Sequence, residues 1–362
     1  MNLLFKKENI YYLKSYLNEI KKTILDSKFI LGKEVKIFEK KFSNLCKVKY
    51  SVACGNGTDA LFLALSSLNL KRNDEVILPA FSYYSTLSSV LNLNLSPVFI
   101  DINKNDPSIN LKELKKKITK KTKAIIGVHL FGSVEKFNLI KKIIKNKNIK
   151  LIEDASQAHG AYYHIKNKIK TVGSLGDLGC FSLYPTKNLG AFGDSGIITT
   201  NKYNLYLKLK LLRNLGSLKK NYHKIIGINS RMDSIQASIL NFKIKKLKNF
   251  NSSRKKIANI YEKRIINNKL NIFKHTYGSV YHQFVILCKK RSKLIKYLKK
   301  NNVYFDIHYP YTLNKLKFLK LKYKKMKFKN AEEFSKNCIS LPIHPSLDIK
   351  YVYKVCNILN KF

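Results

Sequence analysis

Seven short apolar runs punctuate the first two hundred residues: SVAC, EVILPA, PVFID, AIIGVHL, KLIED, CFSLY and GIITT. Most lack the polar alternation of a half-exposed strand, the pattern expected of strands buried on both faces. Amphipathic stretches such as LFLALSSL, LKELKKKI and NLIKKIIKN separate the first five. Strands alternating with helices imply a mainly parallel sheet covered by helices. The last two runs are joined by a short Gly-rich stretch, which leaves their relative direction open. After about residue 230 the pattern changes. DSIQASILNFKIKKLKNFNSSRKKIANIYEKRI reads as long helices, one of them bridging to a second unit. A strand (YHQFVIL), a helix (RSKLIKYLKKN), a short strand near Val303 and two more helices follow. A chain of 362 residues exceeds what one core usually serves. The expected layout is α/β, with a large domain over 1–245 built on a mainly parallel seven-stranded sheet and a small α+β domain over 246–362.

Composition narrows the function classes. No run of about 18 uncharged apolar residues exists, so no spanning helix is expected. The N-terminal stretch MNLLFKKENIYYLKSYL lacks a signal-peptide core, which places the chain in the cytoplasm as an expectation. Six cysteines are scattered without a CxxC pair, against both a disulfide framework and a zinc cluster, and no metal is expected. The formal charge of +48 suggests nucleic acid. Only Arg72, Arg213, Arg231, Arg254, Arg264 and Arg291 are arginines, however, and no confined basic stripe or nucleic-acid motif is present. The lysines read as a compositional bias spread over solvent-facing stretches; they would help attract anionic substrates at low salt.

Such a bias makes lysine-free windows informative. Residues 51–70 and 73–103 contain no lysine, and Lys187 is the one basic residue between Thr171 and Thr200. Windows that exclude a common charged residue are core or tightly shaped sites, so a lone lysine inside one needs a chemical reason.

Four segments carry candidate chemistry. Gly55-Asn56-Gly57-Thr58-Asp59 is a strand-to-helix turn, which reads either as a plain N-capped turn or as a phosphate cradle at a helix N-terminus. Glu153-Asp154-Ala155-Ser156-Gln157-Ala158-His159 follows a strand, at the end where ligands bind in parallel sheets. Asp154 there is either a helix cap or a carboxylate able to hold a pyridine nitrogen protonated; His159 taken alone reads as a satisfied structural histidine. Tyr184-Pro185-Thr186-Lys187-Asn188-Leu189-Gly190 places a lysine on a loop between buried strands, where lysines shift their pKa and form Schiff bases. Gly227-Ile228-Asn229-Ser230-Arg231-Met232-Asp233 precedes a long helix and also fits ordinary helix-start chemistry.

Together GNGTDAL, EDASQAHGA and YPTKNLGAFGDSG resemble the DegT/DnrJ/StrS family of sugar aminotransferases. The resemblance runs from FILGKEVKIFEKKF to SLPIHPSL, almost the whole chain. It implies a fold-type-I aminotransferase dependent on pyridoxal 5'-phosphate, with Lys187 bonded to the cofactor and moving the proton. Asp154 would pair with the pyridinium nitrogen and Gln157 with the phenolic oxygen. Gly57, Thr58 and Ser182 would hold the phosphate, and Tyr83 would lie over the ring unless it is a core tyrosine. Asn229 would reach the phosphate from a second subunit, making a homodimer with shared sites. The implied substrates are glutamate and a nucleotide-linked keto sugar. RNLGSLKKNYHKIIGINSRMDSIQASIL, HQFVIL and HYP look closest to the branch that aminates dTDP-3-keto-6-deoxyhexoses. Tyr184, His308 and Tyr309 would line the hexose, with Lys219 or Lys220 near the diphosphate and Arg231 among the substrate ligands. Leu183 and Leu215 stand where that branch more often has aromatics, and 4-keto aminases share most of these residues. Relatives with histidine in place of this lysine act as dehydratases, so Lys187 favours transamination.

Overall fold

The computed structural model describes residues 2–104, 106–165, 168–219 and 221–362. Its strands are β1 (Tyr50–Cys54), β2 (Glu75–Pro79), β3 (Ser96–Ile100), β4 (Thr122–Val128), β5 (Lys150–Asp154), β6 (Tyr162–Ile165), β7 (Lys168–Thr171), β8 (Leu178–Ser182), β9 (Gly196–Thr200), β10 (Ser217–Lys219), β11 (Tyr222–His223), β12 (Asn271–Ile272), β13 (Phe284–Leu287) and β14 (Cys338–Leu341). The helices that matter below are α1 (Asn2–Asp26), α2 (Lys33–Cys46), α3 (Gly57–Ser66), α4 (Tyr84–Leu91), α5 (Leu111–Lys117), α6 (Phe137–Ile143), α7 (Tyr203–Leu212), α8 (Ser234–Lys243) and α9 (Leu247–Arg264).

The seven apolar runs form one sheet in the order β1-β9-β8-β5-β4-β2-β3. Strands β3, β2, β4, β5 and β8 are parallel neighbours, and β9 runs antiparallel between β8 and β1. This resolves the direction that the sequence left open. The connection 183–195 contains no helix, and a parallel return needs a crossover long enough to recross the sheet. One core lies on each face of the sheet. The first gathers Leu61, Leu65, Phe81 and Leu87, the second Phe38, Phe42, Phe137 and Phe181. The first also takes in Phe273, Val285, Tyr309 and Phe334 from the C-terminal part, so the two parts pack directly on one another.

Beyond α8, α9 spans from one core to the next, with Leu247 in the second and Ile257, Ala258 and Tyr261 in a third. That third core covers the antiparallel sheet β12-β13-β14. The strand expected near Val303 does not form. The chain there makes a single bridge, Asp306 to Ser340, on the edge of β14 that β13 leaves open. The helix α1 and the hairpins β6-β7 and β10-β11 had no counterpart in the expectations. Among the described residues, no helix is long and apolar enough to cross a membrane.

Candidate active site

Parallel strands bring their C-terminal ends to one edge of a sheet, and ligands bind there because the loops diverge and helix N-termini point inward. In this chain the loops after β1, β2, β4, β5 and β8 meet at that edge and line a cavity of about 630 Å³. Ten expected site residues share it: Gly57, Thr58, Tyr83, Asp154, Gln157, Ser182, Tyr184, Lys187, His308 and Tyr309.

The turn after β1 is both an N-cap and a cradle. Asn56 caps α3 by accepting from the Asp59 N–H at 2.8 Å. Among the described residues the Gly57 and Thr58 N–H groups have no partner, so they face outward at the positive end of the helix. Ser182, the last residue of β8, lies against them. A Cβ on Gly57 would sit 2.5 Å from the Ser182 Cβ, so glycine is needed for this close approach. The Thr58 hydroxyl shares a 2.7 Å hydrogen bond with Ser85.

Asp154 ends β5, is buried, and accepts from the Thr86 hydroxyl at 2.8 Å and the Ser156 hydroxyl at 2.7 Å. No helix follows it, which removes the capping alternative. The neighbouring Glu153 carboxylate plays a different part. It accepts from the N–H groups of Gly173, Leu175 and Gly176 and from His129 Nε2, and so ties the loop before β8 to the sheet. Lys187 sits on the β8–β9 connection, fixed by its N–H donating to the Tyr184 carbonyl at 2.9 Å. Burial lowers its ammonium from 10.5 to about 8, with the Asp154 carboxylate pulling the other way. A lysine titrating there keeps a useful neutral fraction near pH 7, as a nucleophile requires.

Gln157 bridges two parts of the cavity wall. Its Oε1 accepts from the Phe131 N–H at 2.5 Å and its Nε2 donates to the Tyr309 hydroxyl at 2.6 Å. Phe131 adopts a left-handed backbone (φ 60°) to present that N–H, strain of the kind held at functional sites. Tyr83 is 61% exposed, so it is not a core tyrosine; its ring stands at the cavity mouth. His308 shares a hydrogen bond with the Ser340 hydroxyl at 3.0 Å. His159 is buried against Phe181, and among the described residues neither ring nitrogen has a well-aligned partner, contrary to the expectation of a satisfied histidine. Burial, and then the Lys187 charge, hold it down at about 3, so it is neutral.

Three expected residues lie outside this cavity. Asn229 is exposed and bridges to Asn214. It does not cap α8, whose N-cap is Asp233. Arg231 reaches Asn214 Oδ1 at 3.3 Å, and Lys219 sits over the Tyr222 ring in the β10-β11 hairpin. Lys220 lies outside the described residues. The cavity also contains residues the sequence did not single out for it, notably Arg254, His282 and Gln283. Arg254 lies within a lysine-rich helix, where nothing in the pattern separates an inward guanidinium from its solvent-facing neighbours.

Known proteins resemble this chain over nearly its whole length. The chain is 37% identical over 356 residues to the dTDP-3-amino-3,6-dideoxy-alpha-D-galactopyranose transaminase of Aneurinibacillus thermoaerophilus, covering 98% of this chain and 97% of that one. It is 33% identical over 347 residues to the UDP-N-acetyl-3-dehydro-alpha-D-glucosamine 3-aminotransferase of Acidithiobacillus ferrooxidans, covering 95% and 93%. The fold matches the crystal structure of NtdA from Bacillus subtilis with bound cofactor PMP at a TM-score of 0.89 and 28% identity, covering 97% of this chain and 82% of that one. The family profile described as DegT/DnrJ/EryC1/StrS aminotransferase matches residues 13–360, and the chain belongs to that family.

Proposed function

We propose that the chain is a pyridoxal-phosphate-dependent aminotransferase that moves an amino group from glutamate to C3 of a dTDP-linked 3-keto-6-deoxyhexose. The observation that carries the transaminase reading is a lysine titrating at about 8 in the same cavity as a buried carboxylate and an unfilled helix N-terminus.

The residues present suit the cofactor. The free N–H groups of Gly57 and Thr58, with the hydroxyls of Thr58 and Ser182, form an anion cradle matched to a phosphate. Asp154 would face the pyridine nitrogen, since Thr86 and Ser156 hold its carboxylate in place. Gln157 would offer its second amide hydrogen to the phenolic oxygen, and Tyr83 would cover the ring. When bound, the cofactor supplies an electron sink for the bond broken at the amino-bearing carbon. Asp154 sustains that sink by keeping the ring nitrogen protonated. Lys187 would hold the cofactor through its Nζ, and the same amine would take up and return the proton at the amino-bearing carbon of donor or sugar.

Tyr184, His308 and Tyr309 would position the sugar. The dTDP and 3-keto assignments rest on the Arg213–Leu240 and His308–Pro310 stretches and on the Aneurinibacillus relative; the Acidithiobacillus relative is named for a UDP sugar. Because Asn229 lies outside its own chain's cavity, we assign it, with Arg231 and Lys219, to the site of a partner in a homodimer. The decisive test is a panel of 3-keto and 4-keto dTDP-, UDP- and GDP-sugars with L-glutamate, read by product analysis. A 4-amino product from a 4-keto substrate overturns the regiochemistry, and absence of any amination with loss of a sugar hydroxyl would mark a dehydratase.

A further inference from the structure

Asn188, the residue after Lys187, fixes the proton of a histidine contributed by the C-terminal part. Its Nδ2 donates to the Val280 carbonyl at 3.1 Å and to Asn251 Oδ1 at 2.9 Å. Asn251 is oriented in turn, because its own Nδ2 donates to the His159 carbonyl at 2.9 Å. A carbonyl can only accept, so neither amide can be turned over without losing its partners. Asn188 Oδ1 is therefore an acceptor, and the atom 3.0 Å from it, His282 Nδ1, carries a hydrogen.

His282 lies just ahead of β13, is buried, and lines the Lys187 cavity. Burial, then the charges of Lys187 and Arg254, hold its ring well below its ordinary value, so it is neutral and has one hydrogen to give. That hydrogen is committed to Asn188. Nε2 is left as a bare lone pair that no donor among the described residues reaches. Unlike the two ring nitrogens of His159, it is not sealed inside the protein.

Such a lone pair selects a ligand by the donors that the ligand has to offer. The phosphate and phenolic oxygens of the cofactor are acceptors. Glutamate brings carboxylates, also acceptors, and its one donor group, the amine, is the group that reacts. A hexose brings hydroxyls next to the carbon that receives nitrogen. The donors of a nucleotide base lie beyond the diphosphate, away from Lys187.

We propose that His282 is a specificity-determining residue for the sugar, its Nε2 accepting a hydrogen bond from a hydroxyl adjacent to the carbon that is aminated, with Asn188 holding the ring in that tautomer. The assignment rests on the aminotransferase reading of the cavity and separates the two halves of the reaction, since only the sugar half calls on this acceptor.

Two substitutions divide the histidine. His282→Asn keeps a donor near Nδ1 for Asn188 and deletes the acceptor. His282→Gln puts a carbonyl oxygen near Nε2 and leaves Asn188 without its donor. Holoenzyme is titrated calorimetrically with dTDP, dTDP-6-deoxyglucose and the 2-deoxy and 4-deoxy counterparts of that sugar, none of which has a ketone or amine to react. The UDP series is run in parallel, so that the choice of nucleotide is not at stake. In the wild type, loss of one of the two hydroxyls should weaken binding about ten-fold, because the buried acceptor is left unpaired. His282→Asn should bind the parent sugar as weakly as the wild type binds that deoxy sugar, with no further loss for the pair and nucleotide affinity unchanged. His282→Gln should recover part of the preference. In single turnovers, His282→Asn should slow the amination of a 3-keto sugar about ten-fold and the conversion by L-glutamate far less. A folded His282→Asn protein that keeps the wild-type preference for both hydroxyls overturns the proposal. Equal slowing of both half-reactions in both variants also overturns it, as the mark of a ring that only braces the Lys187 loop. Should neither variant fold, the wild type decides: indifference to both hydroxyls leaves Nε2 no donor and sinks the assignment. If glutamate leaves the cofactor absorbance unchanged while a His282-dependent hydroxyl preference is present, the transaminase reading fails and the sugar contact stands.

Discussion

Replacing Asp154 with asparagine should move two properties of Lys187 in opposite directions. The Asp154 carboxylate stabilises the Lys187 ammonium while burial destabilises it, and burial wins, leaving a midpoint of about 8. At pH 7 about a tenth of the chains then carry a neutral amine, against about one in three thousand for a lysine at its ordinary value. Removing the carboxylate takes away the opposing effect, so the midpoint falls further and the neutral fraction rises. The ceiling at pH 7 is about ten-fold, reached only when every Lys187 is neutral. The apo protein should therefore capture pyridoxal phosphate faster as Asp154→Asn than as the wild type at pH 7, with the two converging at high pH. Transamination should fall heavily in the same variant, because a neutral amide cannot hold the ring nitrogen protonated. Stopped-flow absorbance after mixing apo protein with the cofactor, between about pH 6 and pH 10, reads the first effect. Single-turnover conversion with glutamate reads the second. A midpoint for the variant at or above that of the wild type refutes the electrostatic reasoning, and wild-type turnover removes Asp154 from its assigned role.

Other outcomes come from the same geometry. Gly57→Ala would press a methyl against the Ser182 backbone, 2.9 Å from its Cα, so phosphate affinity should drop at least ten-fold and stability by about 1–3 kcal/mol, read by cofactor titration and urea unfolding. Glu153→Gln removes a charge that three N–H groups and His129 share, and should cost about 2–4 kcal/mol in urea unfolding without altering the fold of the cavity. If Asn229 serves a partner's site, Lys187→Ala and Asn229→Ala chains should complement when mixed, giving about half of wild-type activity per heterodimer. Failure to complement after verified chain exchange would confine Asn229 to its own chain.

Much of the site was legible in the sequence because lysine is so abundant elsewhere. Where solvent tolerates charge the chain carries lysine, so the windows around Gly57, Tyr83 and Lys187 stand out as places where shape or chemistry forbids it. The unbroken apolar runs likewise mark doubly buried strands, and strand–helix alternation marks a parallel sheet, since both arise from local pattern. Direction, partnership and charge balance do not. The antiparallel course of β9 comes from a connection too irregular to recross the sheet. That Asp154 binds Thr86 and Ser156 rather than capping a helix depends on the path of the chain beyond β5 and on where α4 packs. The strand expected near Val303 reduces to one bridge because sheet pairing is decided by neighbours far away in sequence. Arg254 is the sharpest case. Its segment, SSRKKIANIY, reads as a charged amphipathic helix, and only the packing of α9 against Ile343 and His282 turns this one cation inward. The sequence by itself determined which residues could do the chemistry, because composition and period record burial. Tertiary structure decided which charges meet, because the Coulomb energy of a buried group depends on distances and solvent access that no local pattern encodes.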